Sequence, residues 1–489
     1  MSAPATLAET HISVLAAIGD RVYKLKKPVA LGFLDFSTRE AREAACQREV
    51  ELNRRLAPDV YLGVADVFGP DGQPCDHLVV MRRMPADRRL ATLVRAGQEV
   101  DDQLRQLAHL IATFHGQAAT SRAIAAAGTA GAVRGNWDDS FQQLRRFVGS
   151  VLDGAVCERV EALAHRYLEG RRSLFDCRVD DGRVRDGHGD LQAEDIFCLD
   201  DGPRVLDCIE FDDRLRHGDV LNDVAFLAMD LERLGSPELS RRFLALYREL
   251  SGETYPQSLA HHFVAYRAHV RAKVACLRHA QGDRDAAAAA SSLLDLTLNH
   301  LERGRVVLAL VGGLPGTGKS TLAAGIADAR EWSVIRSDEV RKDAAGLSHS
   351  ARAQADYGEG IYRSEITDAT YQTLLERAGQ ALELGESVVL DASWSDARWR
   401  TEAGGLAKET TSDLVELRCV APAEVAAARI RARATAGLDP SDATPEVAAT
   451  MAASANAWPS AETIDTSGTI QQSRSEGLVL LNSALSVER

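Results

Sequence analysis

Two stretches of this 489-residue chain bring together residue types suited to moving a phosphoryl group. The first is His188-Gly189-Asp190-Leu-Gln-Ala-Glu-Asp195, followed across the turn Asp200-Asp201-Gly202-Pro203 by Val205-Leu206-Asp207. A carboxylate placed as Asp190 can orient a substrate hydroxyl, and one placed as Asp207 can hold Mg²⁺ against phosphates. The second stretch is Gly313-Leu-Pro-Gly316-Thr317-Gly318-Lys319-Ser320-Thr321, which fits GxxxxGK[ST] without deviation. Its glycines let backbone N–H groups turn inward around phosphate oxygens, and the N-terminus of the next helix adds partial positive charge. Lys319 would reach the β- and γ-phosphates and Ser320 would hold Mg²⁺. A chance match is expected in on the order of one chain in a hundred of this length.

The second motif has the context it needs. VVLALV reads as a buried strand before it and STLAAGIADA as a helix after it. The following segments alternate as strands and helices, which predicts a parallel sheet with helices on its faces. Ligands of such sheets lie beyond the carboxyl ends of the strands. There stand Ser337-Asp338-Glu339-Val340-Arg341-Lys342 after WSVIR, and Asp391 after SVVL. In ARIRAR, Arg429 and Arg433 are four apart and share a helix face. Together they supply an acceptor-side acid, a second acid near the metal, and a cation pair able to close over phosphates. Each has a plainer alternative, since an Asp after a strand is often a helix N-cap and a run of arginines is often a solvated face. Residues 305 to 475 resemble the small P-loop kinases, the group that includes gluconate kinase-like and zeta-toxin-like enzymes. The resemblance implies that Asp338 accepts or orients the attacking hydroxyl and Arg341 binds substrate or phosphate. It makes Arg429 and Arg433 lid arginines and Asp391 the metal-side acid, with Gly313, Gly316, Thr317, Gly318, Lys319, Ser320 and Thr321 around the nucleotide.

The first motif must be carried by other elements. HISVLAAIGDRVYKLKKPV reads as two β-runs joined at Gly19-Asp20, and TREAREAACQREVELNRRL as a charged helix, so that β-β-α opens the chain. Residues 100 to 180 and the stretch up to about 300 are helical in pattern, with two short β-runs in DIFCLDDGPRVLDCIEF; GDVLNDVAFLAMD adds Gly218, Asp219 and Asp223. Residues 8 to 300 look like the aminoglycoside phosphotransferase-like, or choline kinase-like, branch of the protein-kinase fold. On that resemblance Lys24 is the phosphate-pairing strand lysine, with Lys26 on the same strand face as the other choice. Glu49 is its helix partner, Asp190 the catalytic acid, and Asp207 a metal ligand. Two departures stand out: the metal-binding Asn expected five residues after Asp190 is Asp195, and no glycine-rich loop precedes VYKLKK. A carboxylate can ligate Mg²⁺ as well as an amide. Its extra charge beside Asp190 and Asp207 would cost roughly 4 kcal/mol per pair at ~4 Å and an effective dielectric of ~20. His188 and His115 read as packed, hydrogen-bonded histidines.

Composition bounds the rest. Apolar residues at 45% and charged ones at 26% describe an ordinary globular chain, long enough for two to four domains. No apolar run reaches the ~18 residues of a membrane span and the start of the chain lacks a leader pattern, so a cytoplasmic protein without a membrane partner is expected. The eight cysteines are scattered without CxxC spacing, which predicts reduced, mostly packed thiols. A net charge of −14 argues against a nucleic-acid partner, and the basic cluster at 82 to 89 reads as a solvated turn.

The expected fold class is an α+β protein-kinase-like bilobal domain at 1–303, with lobes meeting near residue 84, followed by an α/β P-loop domain with a parallel sheet at 304–489. The expected function is an ATP- or GTP-dependent, Mg²⁺-requiring transfer to a hydroxyl of a small-molecule acceptor, with the chemistry in the P-loop half. Two alternatives remain open on the sequence: a nucleotide-gated regulator whose first half is a pseudokinase, and two independently active kinase sites, one of them aminoglycoside-type. The sequence sets no oligomeric state.

Overall fold

Gly19 turns the chain at a φ of 62°, a conformation that costs glycine little, and Ser13–Ile18 folds back antiparallel on Arg21–Lys26. The computed structural model describes residues 6–9, 12–30, 35–348, 363–436 and 444–486. They fall into two units. The first comprises Met1–Ala164, Phe175–Tyr255 and Leu259–Glu302; the second comprises His165–Leu174, Pro256–Ser258 and Arg303–Arg489.

The first unit opens with a five-stranded antiparallel sheet in which Thr6–Glu9, Ser13–Ile18, Arg21–Lys26, Pro74–Arg82 and Tyr61–Phe68 lie side by side in that order. The β-β-α opening is therefore corrected to β-β-β-α. Thr6–Glu9 is an exposed edge strand with little apolar patterning to betray it. The helix Arg39–Asn53 is started by Thr38, whose hydroxyl accepts from Ala41 N at 3.1 Å. Cys46, Glu49, Val50 and Asn53 form its buried stripe at helical spacing. That stripe packs on Val79 and Met81 of the sheet and on Phe197 and Leu206, so one core joins the glutamate helix to the strands that follow the loop at 188–195.

Behind that loop, the helix Val220–Arg233 is buried along nearly its whole length. Asp219 caps it, accepting from Leu221 N at 2.8 Å, and also pairs with Arg178 at 2.7 Å; Arg178 reaches Glu253 at 2.7 Å as well. The arginine and both carboxylates are almost wholly enclosed. Burial disfavours a charged Arg178, but Asp219 and Glu253 hold its pKa above the ordinary arginine range. Arg178→Leu would leave the buried Asp219 without its cation and Glu253 with Arg183 alone, a loss of about 3–5 kcal/mol. Urea unfolding followed by circular dichroism checks this; a change below about 1 kcal/mol, the worth of a surface pair, would contradict it.

Arginines of the 82–89 cluster are paired rather than merely solvated. Arg82 meets Asp59 at 3.0 Å, Arg88 donates to Cys198 O at 2.8 Å, and Arg89 lies over Phe197 and meets Glu194 at 3.4 Å. All cysteines of the described residues are free thiols, and Cys46, Cys198, Cys208, Cys276 and Cys419 are buried. No helix among the described residues is long and apolar enough to cross a membrane.

The second unit is built on a parallel sheet of five strands in the spatial order Ser333–Arg336, Val388–Asp391, Val307–Gly312, Asp413–Val420 and Glu462–Asp465. The first strand in sequence is central and buried at every residue, as a strand covered on both faces must be. The connection from it runs to one side, to Ser333–Arg336, and that from its neighbour Val388–Asp391 runs past it to Asp413–Val420 on the other, so the crevice at their carboxyl ends is the switch point where ligands bind in such sheets. Val311 is in register with Asp391, and Asp391 with Arg336, which brings three strand ends to one level.

Candidate functional sites

In the first unit, Lys24 and Lys26 point to the same face of their strand, two residues apart. Both reach Glu49, at 2.9 and 2.7 Å. They then diverge. Lys26 is fully buried and bonds Glu210 at 2.5 Å, whereas Lys24 keeps some solvent access and bonds Asp207 at 2.8 Å. Lys24 is thus the lysine that faces the open side of the site. Lys26 and Glu210 form an inner ion pair that the sequence reading missed; the spacing of Glu210 from Asp207 carried no signal for it.

Asp207 adopts φ 66°, unusual for a residue other than glycine, and its N–H donates to the Tyr61 hydroxyl at 3.2 Å. Such an outlier persists only where surrounding structure enforces it. The next residue is pinned too, since Cys208 N donates to Asn53 Oδ1 at 2.9 Å from the end of the glutamate helix. The loop at 188–195 is held by Asp223, whose carboxylate accepts from His188 N at 2.7 Å and Gly189 N at 2.8 Å. His115 contributes a third bond to it at 3.1 Å while its other nitrogen meets Tyr247 Oη at 2.8 Å. Burial opposes the charge of Asp223, but the His115 bond and those of the loop hold its carboxyl well below the usual range. His188 is buried, its pKa pushed down to about 4 by desolvation, and donates Nε2–H to Leu206 O at 3.1 Å. His115 and His188 are therefore packed, hydrogen-bonded groups.

Three carboxylates converge here. Lys24 keeps Asp207 below the ordinary carboxylate range. Asp190 is pushed up to about 6 by burial, with Arg271 and Arg267 opposing and Asp207 reinforcing the shift; Gln192 donates to it at 2.8 Å. Asp195 is raised well above its usual value by burial first and then by Asp207 and Asp190. The repulsion foreseen from the sequence thus falls on Asp195. A carboxyl with a raised folded-state pKa binds its proton more tightly when folded, so the metal-free protein loses stability as pH rises from the ordinary carboxylate value to the raised one. Asp195→Asn removes that loss. The variant should gain on the wild type through that window and hold a constant advantage above it, read as thermal midpoints in EDTA. A pH-independent difference would contradict this.

In the second unit, the glycine loop runs from the central strand into the helix Lys319–Arg330. Gly313, at φ 143°, approaches the next strand so closely that a Cβ would lie 2.6 Å from Cys419 O; at Gly316 a Cβ would lie 2.5 Å from Ala426 O. A side chain at either place would displace the loop. Thr317 is tied inward, its hydroxyl donating to Leu314 O at 2.8 Å and its carbonyl accepting from Thr466 Oγ1 at 2.6 Å. A cavity of about 330 Å³ opens over Gly316, Gly318, Lys319, Ser320 and Thr321, and both Arg429 and Arg433 line it. The two arginines share one face and turn it to the glycine loop, not simply to solvent. Arg429 is anchored by Thr466, donating to its carbonyl at 2.6 Å. Residues 437–443, just beyond this helix, lie outside the described residues.

Thr466, Gly468 and Arg474 also line the cavity and were not foreseen. The Thr-Ser-Gly run after ETID was the available signal, a polar turn directly after a short β-run, but so short a strand reveals itself only through its pairing with Asp413–Val420.

Asp391 sits beside this loop and is almost fully buried. Burial raises its carboxyl, while Lys319 and a hydrogen bond from Ser320 draw it down and Asp338 adds repulsion. Its Oδ1 is buried without a hydrogen-bond partner, and Arg336, also unforeseen, lies 4.0 Å from Oδ2. Asp338 occupies the first turn of the helix Ser337–Ala344, but the capping position is Arg336 and no side chain caps the helix. Asp338 is therefore not the N-cap. Arg341 is buried and donates to Thr367 Oγ1 at 3.0 Å, and both Arg341 and Asp338 act on the buried Tyr371, which meets Ser393 at 3.1 Å. Asp338, Arg341 and Asp391 thus stand around one crevice.

A Mg–nucleotide is implied by both sites. No group of three or more His, Cys, Asp or Glu among the described residues could hold a metal alone. Mg²⁺ with phosphates does not require one, because it commonly takes one or two carboxylates and completes its shell with phosphate oxygens and water. The orphaned Asp391 Oδ1 beside Ser320 fits that role, as do Asp207 and Asp195 in the first unit.

Residues 308–457 match a family described as an AAA domain. Among solved structures, the chain is similar to a gluconokinase from Sinorhizobium meliloti, with 16% identity and a TM-score of 0.27 over 37% of this chain and 92% of that one. It is also similar to a choline/ethanolamine kinase family protein from Mesorhizobium loti, with 14% identity and a TM-score of 0.39 over 61% and 92%. The uncharacterized protein Rv2004c of Mycobacterium tuberculosis strain H37Rv is 44% identical over 477 residues, covering 98% of this chain and 95% of its own. The chain joins a unit with a five-stranded antiparallel sheet to a P-loop unit with a five-stranded parallel sheet, and it belongs to the same family as that mycobacterial protein.

Proposed function

We propose that the protein is an ATP-dependent phosphotransferase acting on a hydroxyl of a small metabolite, with the chemistry in the P-loop unit. The observation that carries this reading is Asp391, buried with a partnerless oxygen next to Ser320 and Lys319, with Asp338 within electrostatic reach. Bound Mg–ATP supplies the γ-phosphoryl group and neutralises part of its charge. The chain's own residues do the rest. Lys319 and the loop N–H groups hold the phosphates, while Arg429 and Arg433 cover them. Arg341 binds the acceptor, and Asp338 orients its hydroxyl and takes its proton as the acceptor oxygen bonds to the γ-phosphorus and the bond to the bridging oxygen breaks, the diphosphate leaving with that electron pair.

An ATPase used only as a switch needs no acceptor-side acid. The test is ADP release by the full chain across a panel of polyols, sugars and sugar acids, with and without Asp338→Asn. Acceptor-stimulated release that falls by about 10²–10⁴-fold in the variant supports the reading. Release indifferent to every acceptor and to Asp338→Asn would sink it.

A second reading, in which the first unit also transfers phosphate, is favoured by the Lys24–Glu49 and Lys24–Asp207 pairs, formed at 2.9 and 2.8 Å. In protein-kinase-like sites the lysine–glutamate pair must be in place for transfer, and the acid corresponding to Asp207 holds Mg²⁺. The pseudokinase alternative rests on Asp195 and on the lack of a glycine-rich loop before VYKLKK.

A further inference from the structure

Asp190 stands among cations that the phosphate-handling residues do not supply. The helix Gln257–Ala280 carries Arg267 and Arg271 four residues apart, hence on one face. Both positive charges act on the Asp190 carboxylate, Arg271 more strongly. Arg267 is fixed in place: it is buried, it donates to Asn222 O at 3.0 Å, and its guanidinium lies 4.8 Å from the Phe226 ring centre. Asn222 and Phe226 belong to the helix whose Asp223 clamps His188 and Gly189, so the arginine face and Asp190 share one rigid frame.

Arg271 differs. It is half-buried, yet it makes no hydrogen bond or ion pair with any described residue. Charged groups taken out of water are ordinarily paired, and this chain has acidic residues in excess. An open guanidinium within electrostatic reach of the hydroxyl-orienting carboxylate, one turn along the face that Arg267 anchors, suits a partner that arrives with the acceptor. A polycationic amino sugar would meet like charge at this face.

We infer that the acceptor of the first unit carries an anionic group, a carboxylate or a phosphate, bound by Arg271 while Asp190 faces the hydroxyl to be phosphorylated. The acceptor oxygen bonds to the γ-phosphorus of a nucleoside triphosphate as the bond from that phosphorus to the bridging oxygen breaks. The diphosphate leaves with that electron pair, and the hydroxyl proton passes to Asp190. This deepens the second reading above and rests on it.

The test uses the full chain carrying Lys319→Ala, so that the P-loop site is disabled, titrated calorimetrically in the presence of Mg–ADP. Gluconate, glucose 6-phosphate, glucose and kanamycin are the probes, the first two separating a carboxylate from a phosphate preference. At least one anion is expected to bind more tightly than glucose and kanamycin. Arg271→Gln should weaken it by about 10-fold or more, as expected for loss of one charge-assisted contact, and Arg271→Lys by less. Unchanged melting midpoints show that the variants fold. Equal or tighter binding of glucose or kanamycin, no effect of Arg271→Gln, or Mg–ADP binding with neither anion bound would each overturn the inference alone. Absence of Mg–ADP binding to Lys319→Ala would overturn the underlying reading and the inference with it.

Discussion

Lys319→Ala is expected to lower the affinity of the second unit for Mg–ATP, and acceptor phosphorylation with it, by about 10²–10³-fold. Lys319 opens the helix that begins after Gly318 and lines the cavity under Arg429 and Arg433. Its charge also draws down the buried Asp391. Removing it takes away the ammonium aimed at the phosphates and leaves Asp391 with one counter-charge fewer. Neither loss touches the apolar core of the sheet, to which Val307, Ala309 and Val311 contribute from the strand before the loop. Melting midpoints within a few degrees of wild type should therefore accompany the loss of binding. Unaltered affinity would remove the basis for placing nucleotide in this unit.

Asp207→Asn carries the second large effect. Asp207 is held at φ 66° with its carboxylate 2.8 Å from Lys24, and Lys24 is also bonded to Glu49 at 2.9 Å. The amide keeps the shape but removes the charge that would balance both Lys24 and a divalent cation. In a Lys319→Ala background, nucleotide binding and any phosphorylation by the first unit are expected to fall by about 10²–10³-fold. Glu49 still neutralises Lys24, so the unit should remain folded. A first unit without nucleotide binding in either form would instead match a pseudokinase.

The sequence disclosed which residues gather at these sites better than what supports them there. GxxxxGK[ST] and the Asp190–Asp207 pair are local patterns in which a few adjacent residues carry the signal. Asp338, Asp391, Arg429 and Arg433 were legible because strand ends and a helical spacing of four are also local. What escaped depends on distant pairing. The edge strand Thr6–Glu9 has a single large apolar side chain, Leu7, and is exposed throughout, so no alternation marks it. Arg336 and Thr466 reach the crevice only through the order in which the parallel strands assemble. Lys26 and Glu210, 184 residues apart, meet only through the tertiary fold of the first unit. The charge conflict around Asp195 could be foreseen in kind, but its fall on that residue required knowing which carboxylate Lys24 holds.

The most direct test of the central claim is calorimetric titration of Mg–ATP into the intact chain and into its Lys319→Ala and Asp207→Asn variants. The account predicts a site lost with Lys319→Ala, and a second, independent site lost with Asp207→Asn if the first unit is also active. Binding that survives Lys319→Ala in full and disappears only with Asp207→Asn would contradict the placement of phosphoryl transfer in the P-loop unit.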